Sequence, residues 1–459
     1  MTESAVVAMH PPESRRVLAG YYTLAGLYTL SAALIWGVNT LFLLDAGLSF
    51  FEVFVANAAF SAGMVVFEIP TGVIADTLGR RMSFLLSVSV LGVTTLLYVA
   101  LAQVEAGVVA FAIVSVFMGL GFTFYSGAME AWLVDALAVT GFRGILDRVF
   151  ARGQQITGGA MLVGTVGGGL LGQADLALPY LVRSALLAAV FVVAYAVMHD
   201  LGFAPRRVTA RALPGEVARN AKAGVEFGWG QRRLRLLMLA AFVQGGFFAW
   251  AFYASQPYLL ELLDSNAIWV SGLVAAGVAL SMIAGNQVVN VASRYCGRRT
   301  TLLLAAAALQ TCAAVAMGLA GSFWIALAAF LLVTASMGVT SPVRSAYLHQ
   351  IVPTEQRATV VSFDSMVSSA GGIGGQVGLG ALGEARAVGS AFVAGGVATA
   401  AALPLLARLR GLGSSADQII GDRAGVESAC AASGLPAVSA VEAAAPLDEP
   451  ELAAAAVRA

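Results

Sequence analysis

Residues 67–81 read FEIPTGVIADTLGRR, a short charged stretch that separates two long apolar runs. Its polar positions follow the pattern G-x-x-x-D-x-x-G-R-R, from Gly72 through Asp76 to Arg81. Charged residues within or beside membrane-length segments cost free energy and tend to mark functional positions. The stretch therefore predicts a functional turn between two membrane-spanning helices, provided that the flanking runs cross a membrane.

The composition of the chain favours a bilayer. Of its 459 residues, 59% are apolar and 11% are charged, and the mean hydropathy is +0.83, outside the range of soluble domains. About 20 apolar residues span the hydrocarbon core as a helix. The sequence predicts an all-α membrane protein with twelve transmembrane helices, because such runs are too long for barrel strands and lack a period of two. The runs lie near residues 20–44, 50–74, 82–102, 107–136, 153–173, 180–202, 234–262, 267–292, 299–320, 322–350, 360–383 and 387–407.

Basic residues are concentrated on one side of the predicted membrane. They occupy both ends of the chain and alternate turns, including Arg80 and Arg81, whereas the intervening turns carry mostly Asp and Glu. Positively charged loops stay in the cytoplasm. Both termini are therefore expected there, in a multi-pass protein of the cell inner (plasma) membrane. The formal net charge of +0 gives no indication of a nucleic-acid partner.

The chain also contains an internal repeat. An offset of 218 residues lays GVIADTLGRR (72–81) on NVASRYCGRR (290–299), and an offset of 214 lays SGAMEAWLVD (126–135) on TSPVRSAYLH (340–349). Two pseudo-symmetric six-helix bundles explain both offsets. The predicted organisation is a cytoplasmic segment at 1–19, a bundle at 20–202, a basic cytoplasmic linker at 203–233, a bundle at 234–407 and a disordered cytoplasmic tail at 408–459.

The spans, the repeat and the loop signature together resemble the major facilitator superfamily of secondary transporters, across residues 20–407. The resemblance implies two helical bundles around a cavity that opens alternately to either side, with a small-molecule substrate, no cofactor and no covalent chemistry. It also implies a cytoplasmic latch that holds the cytoplasmic mouth shut. A plain topological anchor is the alternative for the arginine pair. The latch candidates are Glu68, Gly72, Asp76, Gly79, Arg80, Arg81 and Asp135.

Glu130 lies inside the fourth predicted span, deeper than Asp135. A carboxyl in a span that binds and releases a proton could couple transport to a proton gradient. A structural carboxyl that never titrates is the alternative. The 214-residue offset places Arg344 opposite Glu130. We expect these two residues to bridge the halves when the cytoplasmic side is closed, unless each finds a partner within its own half.

Polar and aromatic residues inside the spans are candidates to line a substrate cavity. They are few and are interleaved with phenylalanine, which favours an amphipathic or aromatic, drug-like substrate over a hydrated sugar. Lipid-facing filler is the alternative for each aromatic residue. The candidates are Asn39, Asn57, Tyr125, Gln244, Trp250, Tyr253, Gln256, Asn286 and Gln287.

Two further charged residues have structural interpretations. Asp364 is expected to cap a helix end. Arg183 lies near the outer start of the sixth span and is expected to reach the membrane interface along its aliphatic stem.

The fifth predicted span is rich in glycine. Gly164, Gly168 and Gly172 have the G-x-x-x-G spacing that allows close helix packing in a membrane. The stretch resembles the fifth-helix signature G-x-x-x-G-P-x-x-G-G of the family's proton-driven exporters. It departs from that signature at Gly169, where proline is expected, and at Gln173, where the last glycine is expected.

The sequence lacks the motifs of catalytic membrane proteins. The single lysine, Lys222, does not belong to a phosphate-binding loop, and the three histidines form no metal-binding motif.

The sequence predicts a monomeric transporter, not an enzyme, that carries out proton-coupled efflux of a drug-like or metabolite solute by antiport. The alternatives are a proton-linked importer of a sugar or organic acid and a transport-inactive sensor or scaffold.

Overall fold

The structure is a computed structural model. It describes residues 11–419 apart from residue 127, residues 204–214 and 216–227, and residues 354–355. Most of the predicted linker at 203–233 and the part of the predicted tail beyond residue 419 lie outside the described residues. The regular secondary structure of the described part is helical, with one isolated bridge between Arg298 and Gln418.

The helices fall into two series that correspond to the predicted halves. The first half contains α1 (Pro12–Trp36), α2 (Asn39–Asp45), α3 (Phe50–Leu78), α4 (Arg80–Gln103), α5 (Val108–Ser126), α6 (Ala128–Val139), α7 (Leu146–Ala174) and α8 (Leu178–Val197). The second half contains α9 (Arg232–Leu263), α10 (Ile268–Ala292), α11 (Arg299–Leu319), α12 (Phe323–Ile351), α13 (Arg357–Ala385), α14 (Val388–Thr399) and α15 (Ala402–Gly411), followed by a 3-10 turn at Ser415–Asp417.

Local sequence explains where α3 begins and ends. Ser49 and Glu52 form a capping box, in which the Ser49 hydroxyl accepts the Glu52 N–H and the Glu52 carboxylate accepts the Ser49 N–H at 2.9 Å. At the other end Gly79 has a φ of +103°, a conformation that side-chain-bearing residues rarely adopt. The signature glycine thereby lets α4 begin directly after α3.

The helix packing repeats between the halves. In the first half α1 packs on α7, α5 lies against both α3 and α4, and α4 packs on α8; in the second half α9 packs on α13, α12 lies against α10 and α11, and α11 packs on α14. The halves meet through two symmetric pairs, α7 with α10 and α3 with α13. The fold therefore has the pseudo-two-fold relation that the sequence repeat predicts.

Ten helical segments of the described part are long and apolar enough to cross a membrane, with α5 and α6 counted as one segment, Val108–Val139, and α14 and α15 as another, Val388–Gly411. The helices α7 and α13 have 29 residues each but are not among the ten. Glycine lowers their mean hydropathy. The prediction of an all-α membrane protein is confirmed, whereas the count of twelve spans and the cytoplasmic termini remain predictions.

Each half ends with an aspartate that caps the third long helix of that half. Asp200 follows α8, and its carboxylate accepts the Arg81 N–H at the start of α4 at 2.8 Å. Asp417 follows α15, and its carboxylate accepts the Thr300 N–H at 2.8 Å and the Thr300 hydroxyl at 2.9 Å at the start of α11. Carboxylates stabilise helix N-termini. The repeat therefore continues beyond the last helix of each half.

The predicted boundary of the disordered tail is wrong for residues 408–419. The helix α15 continues to Gly411, and Asp417 is buried. Arg299 holds the segment that follows, because its guanidinium donates to the carbonyl oxygens of Ala416 and Gln418 at 2.7 Å each. The ordered second half therefore extends beyond the boundary that composition suggested.

Candidate functional site

Three glycines from three helical regions meet where the halves touch. A Cβ placed on Gly169 of α7 would lie 2.9 Å from the Cα of Gly272 of α10, and a Cβ on Gly37, after α1, would lie 3.1 Å from the same atom. Ordinary contacts of Cβ atoms begin at 3.4 Å. The absence of side chains thus allows the backbones to approach this closely. We name this part of the molecule the sealed end, and the opposite end, which carries Arg80, the arginine end.

Hydrogen bonds between the halves reinforce the sealed end. The Gln256 side-chain amide donates to the Trp36 carbonyl oxygen at 2.7 Å and accepts the Thr40 N–H at 2.9 Å. The Thr40 hydroxyl donates to the carbonyl oxygen of Tyr253 at 3.0 Å. Gln256 was predicted to line a cavity; the structure places it in the seal.

A carboxylate of the second half adds a second clasp. Glu384 of α13 accepts the Phe51 N–H at 2.5 Å and the Ser49 hydroxyl at 2.7 Å at the start of α3. The deepest of the hydrogen bonds between the halves joins Gln376 to Ser61 at 3.5 Å. Among the described residues, all hydrogen bonds between the halves lie in the region that extends from the sealed end to the Gln376–Ser61 pair.

At the arginine end the latch candidates contact their own half. Asp76, near the end of α3, pairs with Arg80 at the start of α4 at 2.8 Å. The Arg81 guanidinium donates to the Tyr195 carbonyl oxygen at 2.7 Å and lies 4.6 Å from the centre of the Tyr195 ring, while Asp200 caps the same residue's N–H. These contacts attach the signature loop to the end of α8.

The remaining latch candidates are spread along this end of the first half. Glu68 and Gly72 are exposed on α3, and Asp135 is half-buried on α6. A Cβ on Gly202 would lie 2.8 Å from the carbonyl oxygen of Asp135, so the segment after α8 also contacts α6. The latch function of these residues remains a prediction, because the described contacts of the candidates lie within one half.

The predicted pair of Glu130 and Arg344 is separated in this structure. Glu130 is exposed on α6 and lies near Tyr21 and Tyr125. Arg344 of α12 forms an ion pair with Asp364 of α13, within the second half. The helix-capping interpretation of Asp364 is therefore wrong, since this buried carboxylate holds an arginine.

Two of the predicted cavity residues form a buried polar cluster in the first half. The Asn39 side chain donates to Asn57 at 3.1 Å and accepts the Tyr180 hydroxyl at 2.9 Å. Tyr125 stacks on Tyr28, with ring centroids 3.7 Å apart and an interplanar angle of 7°. These residues line the interior of the first half.

The cavity candidates of the second half have different surroundings. Gln244 is buried and donates to Gln310 at 2.9 Å, and Trp250 is buried against Phe392, with ring centroids 4.7 Å apart. Both belong to the core of the second half. Asn286 and Gln287 are exposed on α10.

Arg183 has a different place from the one that we expected. Its side chain is 5% exposed within the first half, so the expectation of an interfacial arginine is wrong. The guanidinium lies near the phenol groups of Tyr28, Tyr98, Tyr180 and Tyr253. Within the described residues it forms no salt bridge, and its Nε atom is buried without a hydrogen-bond partner. Tyr180 precedes Arg183 by one turn on α8, whereas Tyr28, Tyr98 and Tyr253 come from three other helices, which sequence spacing could not relate to Arg183.

Three glycines of α7 make close contacts with neighbouring helices. A Cβ on Gly164 would lie 2.8 Å from the Leu30 carbonyl oxygen, and a Cβ on Gly168 would overlap with the Leu34 carbonyl of α1. A Cβ on Gly172 would lie 3.4 Å from Ile268 of α10. These glycines seat α7 against α1 and, at the sealed end, against the second half.

Comparison with known proteins identifies the family. The sequence matches the Major Facilitator Superfamily over residues 21–375, and the chain belongs to this family. It is a multi-pass membrane transporter of small solutes, not an enzyme. The comparison with curated proteins finds no match.

Solved transporters share the fold at low sequence identity. A variant of the nucleoside transporter NupG has a TM-score of 0.73 at 11% identity, covering 86% of this chain and 99% of that chain. The human organic anion transporter MFSD10 has a TM-score of 0.59 at 17% identity, covering 86% and 100%. A POT family transporter in complex with 5-aminolevulinic acid has a TM-score of 0.67 at 11% identity, covering 88% and 96%.

Proposed function

We propose that the protein exports a small amphipathic organic solute across the cell inner (plasma) membrane in exchange for protons. The observation that carries this proposal is the difference between the two ends. Hydrogen bonds join the halves at the sealed end, whereas each described ion pair at the arginine end lies within a single half. In alternating access, a state that is closed at one end and open at the other converts into the state with the reverse arrangement. The arginine distribution supports a cytoplasmic arginine end, so the solute enters there.

Arg344 is the proposed link between the proton and the movement of the halves. In the arrangement described above it is paired with Asp364. When the arginine end closes, Arg344 exchanges this partner for Glu130, which occupies the equivalent position of the first half. Protonation of Glu130 removes its charge and returns Arg344 to Asp364. The exchange is supported by the exposure of Glu130 and by its lack of a cationic partner within the described residues.

The outward direction is supported by the glycine spacing of α7, which resembles that of proton-driven exporters. Closure of the arginine end also brings the latch residues Asp76 and Arg80 towards the second half. The loop signature is suited to that contact, because its turn at Gly79 places the partly exposed side chains of Asp76 and Arg80 at the junction of α3 and α4.

The partner exchange is tested by measuring distances between spin labels at positions 146 and 294, one in each half at the arginine end. Asp364→Asn frees Arg344, so the labels should come closer in a larger fraction of molecules. Glu130→Gln, added to the same protein, should cancel this change. Glu13→Gln is the control, since Glu13 is an exposed acid of α1 outside the proposed path. If Asp364→Asn leaves the distances unchanged, or if its effect survives Glu130→Gln, the exchange is refuted.

Transport itself is tested in liposomes that contain the protein and an internal pH-sensitive dye. A panel of amphipathic organic solutes is added under an imposed pH gradient, and solute-dependent proton flux is expected. Glu130→Gln should abolish the flux, and Glu13→Gln should retain it. Lower cellular accumulation of the active solute upon expression indicates export, and higher accumulation indicates a proton-linked importer. Absence of flux with every solute would refute the proposal and favour a sensor or scaffold.

A further inference from the structure

We infer that Arg183 is the binding site for an anionic group, a carboxylate or a phosphate, on an aromatic or amphipathic solute. The inference rests on the proposed transport function and names the substrate class. It begins with an arginine that is 5% exposed, in a membrane protein, without a salt bridge to any described carboxylate. A buried charge without a counter-ion is costly and is a functional candidate by default.

The surroundings of Arg183 are suited to an anion. The neighbouring groups are four tyrosines, which are neutral and carry hydroxyl donors. The Tyr180 hydroxyl is engaged with Asn39, whereas the Tyr253 hydroxyl forms no hydrogen bond with a described residue. A guanidinium with a free donor beside it binds carboxylates and phosphates through several hydrogen bonds at once. An anionic solute would supply the missing counter-charge.

Aromatic rings connect this guanidinium to the arginine end. Arg183 lies five residues into α8, which starts at the sealed end, so it is about 8 Å from that helix terminus. Tyr28 lies near Arg183 and stacks on Tyr125, which in turn lies near the exposed Glu130. Offset aromatic surfaces of this kind pack against planar, apolar parts of a ligand. The solute class is therefore an organic anion with an aromatic or apolar body.

The position of the site also ties the solute to the seal. Tyr253 belongs to α9 of the second half, and its carbonyl oxygen accepts the Thr40 hydroxyl across the seal. A solute held between Arg183 and Tyr253 would contact both halves directly behind the hydrogen bonds of Gln256. Binding of the solute can thus shift the equilibrium between the closed and the open sealed end.

The test measures binding to the purified full-length protein in detergent by thermal stabilisation, with benzoate and phenyl phosphate as anionic probes and benzamide as the neutral counterpart. Both anions should bind the wild type more tightly than benzamide. Arg183→Gln should weaken anion binding by about ten- to a hundredfold and leave benzamide unaffected. Arg183→Lys should retain part of the affinity, because it keeps the charge but loses the bidentate geometry. Tyr253→Phe should weaken anion binding by about three- to tenfold.

The matched control is Arg386→Gln, which removes an exposed arginine at the sealed end and should leave anion binding unchanged. The inference is overturned if neither anion binds the wild type better than benzamide, or if anion binding survives Arg183→Gln. The comparison of anion with amide in the wild type stands even if a variant fails to fold. If binding depends on Arg183 but liposomes show no flux, the transport proposal fails and the anion site stands. If liposomes transport solutes and Arg183→Gln changes neither binding nor flux, the anion site fails and the transport proposal stands.

Discussion

Replacement of Gly272 by alanine should open the sealed end. Gly272 of α10 faces α7, and a Cβ at this position would overlap with the Thr165 carbonyl oxygen and would lie 2.9 Å from the Cα of Gly169. Both neighbours are backbone atoms, which cannot turn aside as a flexible side chain can. The added methyl group must therefore push α7 and α10 apart, and with them the two halves.

The size of the effect follows from the contact distances. Ordinary contacts begin at 3.4 Å, so the approach to Gly169 is too short by about 0.5 Å, and the overlap with Thr165 is larger. An extra methyl group in a tightly packed interface costs about 1–3 kcal/mol. This cost applies only to the state with a closed seal. The equilibrium between the two states should therefore shift by about 5- to 150-fold towards opening of the sealed end.

Two distance measurements test this prediction. Spin labels are placed at positions 174 and 265, one in each half at the sealed end, and separately at positions 146 and 294 at the arginine end, with the native cysteines replaced by serine. In Gly272→Ala the first pair should move apart and the second pair should approach. Gly159→Ala on α7 is the control, because a Cβ there meets no atom within 4 Å.

The reasoning is refuted by either of two results. Unchanged distances at both ends would mean that the glycine contacts do not hold the seal closed. Increased distances at both ends would mean that the methyl group loosens the fold without favouring the opposite state. A similar shift in Gly159→Ala would show that alanine acts through helix propensity and not through contact between the halves.

Three further predictions use the same protein. Asp417→Ala should lower the free energy of unfolding by about 1–2 kcal/mol, and by more than Asp200→Ala, because Asp417 is 4% exposed and Asp200 is exposed; thermal unfolding in detergent ranks the two. Asp364→Asn should cost about 3–5 kcal/mol in the state with an open arginine end, where it leaves Arg344 unpaired, and the added change Arg344→Gln should recover part of that loss; a thermal-stability double-mutant cycle with additive effects would contradict the pairing. Glu384→Gln should weaken the clasp on α3 by about 0.3–1 kcal/mol and shift the 174–265 distances in the direction of Gly272→Ala, to a smaller extent; no shift would remove Glu384 from the seal.

Sequence patterns were sufficient for the family, the helical class and the repeat. These features depend on local properties: apolar runs long enough to cross a bilayer, a turn that needs glycine at Gly79, and charges that recur at a fixed offset. The repeat includes residues beyond the motifs that revealed it, because Asp200 and Asp417 cap equivalent helices of the two halves. Asp417 lies in a segment whose polar composition suggested a disordered tail. Composition alone does not show that another part of the chain, here Arg299, binds the segment.

The site could not be predicted in the same way, because its contacts join residues that are far apart in sequence. Arg183 and Tyr253 belong to different halves, and nothing in the spacing of either helix indicates that they interact. The partner of Arg344 was also missed. Asp364 lies on the neighbouring helix α13, whereas the offset argument compares only equivalent helices of the two halves. Gln256 has the polar character of a cavity residue, yet its hydrogen bonds close the seal.

The two halves share a backbone plan but differ in charge, and this difference separates movement from recognition. The symmetric contacts of α7 with α10 and of α3 with α13 let one half pivot on the other. Arg183 has no counterpart at the sealed end of the second half, since α14, the first part of the segment equivalent to α8, carries no ionisable residue. Gly272→Ala should therefore change the fraction of molecules in each state and alter apparent anion affinity only through that fraction. Arg183→Gln should change affinity and leave the label distances of the unliganded protein as they are. If either substitution produced both effects, the pivot and the binding site would be one device, and the charge asymmetry would need another explanation.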